Sequence, residues 1–164
     1  MKCLHIFLFL FSPIVLFAQL RTTTVIPNAT DPQINTFTYG NKVHVVYYDS
    51  SAKKRNQLYI FLPGTNGTGF SGEKVNKIAA QSGYHVISLQ YADSIALNIY
   101  RDVNDSTAYS KGREETFSGE NVSKDFNVDQ PNSIENRIIK LLLHLAVAKP
   151  YSFKQVFYIC TYPG

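Results

Sequence analysis

Leu58-Tyr-Ile-Phe-Leu-Pro-Gly-Thr-Asn-Gly-Thr-Gly-Phe70 is the segment around which the 164-residue chain is arranged. Its first five residues are an apolar run of strand length, rich in Tyr, Ile and Phe. Gly64, Gly67 and Gly69 follow, and glycine permits backbone angles that other residues resist. A helix start comes directly after them. A strand, a glycine turn and a helix N-terminus in succession leave several backbone N–H groups pointing at one spot. Such a spot suits a phosphate or the oxyanion of acyl transfer; a plain structural turn is the third reading.

Downstream, Ser71 can cap the helix, with Phe70 and Val75 at the two positions of a hydrophobic staple. Val75, Ile78 and Ala79 have the spacing of one buried face, and Gly83 is a natural left-handed stop. His85-Val-Ile-Ser-Leu-Gln-Tyr91 reads as the next strand, so residues 58–91 form a βαβ unit with a right-handed crossover between parallel strands. Residues 92–130 read as a long surface excursion with a helical turn at Ile95–Tyr100. A helix follows from Asn132 to Pro150, with Asn132 and Glu135 at capping-box spacing. Ile134, Ile138, Leu142 and Leu145 line one face of it; Ile139, Leu141, Leu143 and Val147 widen that face. His144 takes an exposed or edge position. Val156-Phe-Tyr-Ile-Cys-Thr161 has the composition of a further strand.

Upstream, Lys42–Tyr48 and Ile34–Tyr39 flank a Gly40-Asn41 turn and predict an antiparallel hairpin. His44 lies inside the second of these strands, as a half-buried structural histidine does. Residues 19–33 carry two prolines and read as a loosely ordered leader. Residues 1–18 have the layout of a secretory signal peptide: Lys2, an apolar run to Phe17, and Ala18 before the cleavage point. The apolar run falls short of the roughly 20 residues that span a bilayer, so no stable membrane anchor is expected after cleavage. Export, to the periplasm or the extracellular space, is the expected localisation.

Composition agrees with one globular domain: 45% hydrophobic, 13% aromatic, mean hydropathy −0.12. The net charge of +4 is spread out. Its only run, Lys53-Lys54-Arg55, lacks the interleaved aromatics of a nucleic-acid site, so no nucleic-acid partner is expected. Loss of Cys3 with the signal peptide leaves Cys160 alone, which excludes an internal disulfide. Sequons occur at Asn28, Asn66, Asn104 and Asn121.

Leu58–Gly67, the helix end and strand Ala79–Tyr91, and the helix at Ser133–Leu143 follow one another in an order that resembles the N-terminal half of the α/β-hydrolase superfamily. The match is to a secreted bacterial group with a Leu-Pro-Gly-Thr-x-Gly loop, and it covers about residues 42–150. Arg113, Glu115 and Gly119 look like that group's middle region. The resemblance implies an α/β fold: an incomplete, mostly parallel hydrolase-like sheet over residues 34–164, with an N-terminal antiparallel hairpin and flanking helices. It also implies a small-molecule ester or acyl substrate in full-length relatives, with no cofactor and no metal. In the superfamily the loop after the third strand supplies an oxyanion-hole N–H. By that resemblance Thr65 is the donor, and Gly64, Asn66 and Gly67 complete the oxyanion loop, with Pro63-Gly64 in the usual His-Gly place. The phosphate reading fits less well, because Gly64, Gly67 and Gly69 match neither a P-loop nor Gly-x-Gly-x-x-Gly.

A Gly-x-Ser-x-Gly nucleophile elbow is expected after the 133–148 helix, and the sequence has none. Cys160 has no elbow glycine before it, and His44, His85 and His144 precede the place where a catalytic histidine belongs. The expectation is therefore a hydrolase-like chain truncated before its nucleophile and inactive as written. A secreted, non-enzymatic binding module on the same half-sheet is the alternative.

Overall fold

The computed structural model describes residues 19–35 and 42–148. Four strands, β1 (Leu20–Val25), β2 (His44–Asp49), β3 (Leu58–Phe61) and β4 (His85–Ser88), form one mixed sheet in the order β1-β2-β4-β3. The helices are a short α1 (Pro27–Thr30), α2 (Glu73–Gln81), α3 (Ala108–Ser118) and α4 (Ile134–Val147), with 3₁₀ turns at Leu97–Tyr100 and Gln130–Asn132.

The βαβ unit forms as its sequence predicts. β3 and β4 are parallel neighbours, Leu58 opposite His85 and Phe61 opposite Ser88, joined through α2. The other two pairings, β1 with β2 and β2 with β4, are antiparallel. The described sheet is thus mixed where a mostly parallel one is expected. The α/β class holds.

The place beside β2 expected for the segment at 34–39 is taken by Leu20-Arg-Thr-Thr-Thr-Val25, in register from Leu20 opposite Asp49 to Val25 opposite His44. A run of β-branched residues suits a half-buried strand, and that preference overrides the leader reading of residues 19–33. Of the expected first strand, Ile34 and Asn35 lie outside any strand, with Ile34 fully buried. Residues 36–41 lie outside the described set, as do the signal peptide, Pro150 and the strand at 156–161.

Alternate strand residues point to opposite faces, and each face carries a helix. Val46, Ile87 and Leu89 pack with Ile134, Leu141, Leu142 and Leu145 of α4. Val45, Tyr47 and Val86 pack with Ala80 on the α2 side. α4 therefore turns its predicted face inward, although Ile139, Leu143 and Val147 remain exposed. Its cap lies one residue later than the Asn132–Glu135 spacing implies, since the Ser133 hydroxyl accepts the Asn136 N–H at 3.1 Å.

α2 departs further from expectation. Val75 and Ile78 are exposed, and Asn76 and Ala80 face the sheet. Gly72 (φ +75°), not Ser71, stands at the N-cap, and its α-carbon lies so close to the Phe61 ring that no Cβ fits. That contact leaves room only for glycine where the helix begins. Gly83 ends the helix in the left-handed conformation (φ +91°), as its sequence position predicts.

Residues 92–130 are more regular than their polarity implies. The 3₁₀ turn at Leu97–Tyr100 falls where a helical turn is expected, but α3 is an addition. Its weak apolar pattern and central Gly112 hide it. A Cβ on Gly112 would stand 2.8 Å from the Phe126 ring and 3.0 Å from that of Tyr100, so glycine is required for the packing. The Glu115 carboxylate, buried, accepts the N–H groups of Val122 (3.2 Å), Ser123 (2.8 Å) and Val128 (3.1 Å) and folds the following loop against α3.

Candidate functional site

The C-terminal ends of β3 and β4 open into a cavity of about 160 Å³. Ligands of open α/β sheets gather at this end of parallel strands. Leu62 and Thr65 border the cavity from the loop after β3, Tyr91 and Asp93 from the end of β4, and Arg113 and Phe117 from α3. Phe126 and Ile134 add apolar wall.

The loop after β3 is held by its own hydrogen bonds. The Gly67 N–H donates to the Gly64 carbonyl at 2.7 Å, and the Thr68 N–H donates to the Ser71 hydroxyl at 3.0 Å. The Asn66 N–H donates to the Asp93 carbonyl at 3.0 Å, tying the loop to the end of β4. The Tyr91 phenol donates to the Pro63 carbonyl at 2.6 Å, a second tie. Among the described residues, the N–H groups of Gly64 and Thr65 meet no acceptor. Of the four oxyanion-loop residues expected from sequence, only Thr65 borders the cavity. Thr65 combines both properties, while the amides of Asn66 and Gly67 are committed elsewhere.

The glycines act differently from expectation. The left-handed residue inside the loop is Asn66 (φ 58°), a residue type that tolerates this region. Gly67 is needed for space: a Cβ there would lie 2.6 Å from that of Pro63 and 2.7 Å from the Gly64 carbonyl oxygen. A Cβ on Gly64 would meet nothing within 4 Å.

A polar frame behind the loop fixes the end of β4. Lys42 and Asp93, both buried, pair at 2.9 Å. Gln90 donates its N–H to His44 Nδ1 at 3.1 Å and accepts Arg137 Nη1 on its side-chain oxygen at 3.1 Å. Arg137 is fully buried and also reaches the carbonyls of Asn132 and Asn35, each at 3.0 Å, and Asn132 Oδ1 at 2.8 Å. Burial, opposed by Asp129, lowers the guanidinium to about 10. Burial and then the charge of Arg137 lower His44 to about 3, so its ring is neutral. His44 is a structural residue here, as its strand position predicts, though buried rather than half-buried. Burial and then Asp93 raise the Tyr91 phenol, against the pull of Arg113.

Lys42, Asp93 and Arg137 carry no local sequence signal for these roles. Lys42 and Asp93 lie 51 residues apart and meet only because β2 and β4 are neighbours. Arg113 and Glu115, quoted above for the family resemblance, have different roles: Arg113 borders the cavity, and Glu115 shapes the loop that carries Phe126. No Ser, Cys or His borders the cavity among the described residues. Among the described residues no three or more His, Cys, Asp or Glu side chains cluster as metal ligands, and no helix is long and apolar enough to cross a membrane. No family model, no curated protein and no solved structure matches the chain.

Proposed function

We propose that residues 63–67 form half of an oxyanion hole in an exported α/β-hydrolase-like protein of the ester or acyl hydrolase type. The observation that carries the reading is Thr65, which borders the cavity and whose N–H has no acceptor among the described residues. An unused amide at a cavity wall, on a loop pinned by its neighbours, is pre-organised for a carbonyl oxygen. The loop follows the third strand, the position from which the superfamily supplies such a donor. Among the described residues no Ser, Cys or His borders the cavity, and the carboxylate at its wall, Asp93, is paired with Lys42, so the reading extends to binding a carbonyl and to no turnover step. That observation also favours the second reading, a secreted binding module that uses the same cavity.

The test is an amide-resolved NMR titration of the whole chain with methyl benzoate, a neutral ester. The Thr65 amide proton should shift in a dose-dependent way, while the committed Asn66 and Gly67 amides hold still. Thr65→Pro should abolish binding and Thr65→Val, which keeps the N–H, should retain it. Equal shifts at all three amides would sink the proposal.

A further inference from the structure

Arg113 projects from α3 into the rim of the same cavity, and it is exposed. Within its own protein it has only weak company. Its Nη1 stands 3.5 Å from the Tyr109 hydroxyl, and its guanidinium carbon lies 5.9 Å from the Tyr109 ring centre. Among the described residues no carboxylate lies within ion-pair distance of it. The carboxylates on neighbouring elements are already engaged, Asp93 by Lys42 and Glu115 by three backbone N–H groups. Arginine presents a planar fork of donors that matches a carboxylate on two bonds at once. A guanidinium with spare donors at the mouth of an apolar-walled cavity is therefore a receptor for an anion that carries an apolar body.

Size narrows the class. Apolar cavities of about 150 Å³ hold one benzene ring, whereas sites for drug-sized ligands run to about 300 Å³ or more. A cavity of about 160 Å³ takes one ring or a short branched chain. Leu62, Ile95, Leu97, Phe117 and Phe126 supply the wall that such a body would meet.

We infer that the cavity selects small carboxylates of about benzoate size, with Arg113 holding the carboxylate at the rim and the apolar body inside. The substrate class is then an acyl compound that bears a free carboxylate, such as the monoester of a small dicarboxylic acid. This inference rests on the oxyanion reading for its acyl chemistry, and on Arg113 and the cavity for its charge and size.

The experiment titrates the whole chain with benzoate and with methyl benzoate, following amide and Arg Nε–H signals, for wild type, Arg113→Gln and Arg113→Lys. Benzoate should bind at least tenfold more tightly than the neutral ester. Arg113→Gln should remove that preference and leave the ester unchanged, while Arg113→Lys should retain part of it. Because Arg113 is exposed, unchanged signals from the sheet will show that the variants remain folded. Benzoate affinity within twofold of wild type in Arg113→Gln would overturn the inference. The two readings can fail separately. An ester that shifts Thr65, with no preference for benzoate, would sink the carboxylate inference alone. Arg113-dependent benzoate binding, with Thr65 silent towards the ester, would sink the oxyanion reading alone.

Discussion

The two faces of the sheet each bury a polar residue of a covering helix, with opposite degrees of completion. On the α4 face Arg137 is fully enclosed and makes hydrogen bonds to Asn132, Gln90 and Asn35. On the α2 face Asn76 is equally enclosed. It faces the Tyr47 phenol, but neither atom of its amide reaches a described partner with hydrogen-bond geometry. A buried polar group stabilises a fold only when its bonds are made; otherwise it carries its desolvation penalty uncompensated. The α4 face should therefore anchor the protein and the site, while the α2 face should tolerate change.

Arg137→Ala is the strongest challenge to that contrast. It strands the carbonyls of Asn132, Gln90 and Asn35 in the interior and leaves a cavity behind. The expected loss is roughly 3–5 kcal/mol, the range for breaking a buried charged network, read from chemical denaturation of the whole chain. The loop 63–67 should loosen with it, because Gln90 precedes the Tyr91 and Asp93 that tie that loop down. A loss below about 1 kcal/mol would place the anchor elsewhere.

The same contrast explains what was legible in the sequence. α4 is long and strongly periodic, so Ile134, Leu142 and Leu145 point inward as their spacing predicts. The βαβ unit was legible for the same reason, with Gly83 marking the end of its helix. α2 was legible as a helix but not in its orientation. Val75 and Ile78 face outward while Asn76 and Ala80 meet the sheet, and the apolar spacing within the helix does not encode which side the sheet takes. β1 was hidden because its threonines look like a polar leader until β2 supplies a ladder for them. At the site, the glycine loop was legible as a turn after β3, and Thr65, expected there through the family resemblance, borders the cavity. Lys42 and Asp93 were not, because they pair across 51 residues, and Arg137 was not, because its bonds join the neighbouring Asn132 to Gln90 and Asn35 far off in the chain.

His44 allows a test of the α4 face by pH. Its folded value of about 3 lies below the ordinary histidine value of 6.5, so the unfolded chain takes up the proton first. Its contribution to stability is complete above about pH 6.5 and is lost as the pH falls towards 3. Between pH 7 and pH 5 the wild type should lose about 2 kcal/mol more than His44→Gln. Urea unfolding at both pH values measures the difference. His85, lowered mainly by burial, is present in both proteins and cancels. The lowered carboxylates of Asp31 and Asp49 titrate below this window. An unchanged difference between the two pH values would mean that the His44 site admits solvent.

The smallest effect should have the opposite sign. Asn76→Ala removes a buried amide that gains no hydrogen bond, and it exchanges a poor helix former for the best one. The propensity change alone is worth about 0.7 kcal/mol, and an unsatisfied buried polar group costs roughly 1–3 kcal/mol. Against these stands the packing lost when the side chain is cut back to Cβ, so a net gain of about 1 kcal/mol is expected. Measured by urea unfolding beside Arg137→Ala, the two truncations should move stability in opposite directions although both residues are fully buried. A loss of more than 1 kcal/mol would mean that the Asn76 amide is satisfied in solution, for instance through water shared with Tyr47. The two faces would then be alike in completion, and the preference for α4 as the anchor of the site would rest on its larger apolar contact alone.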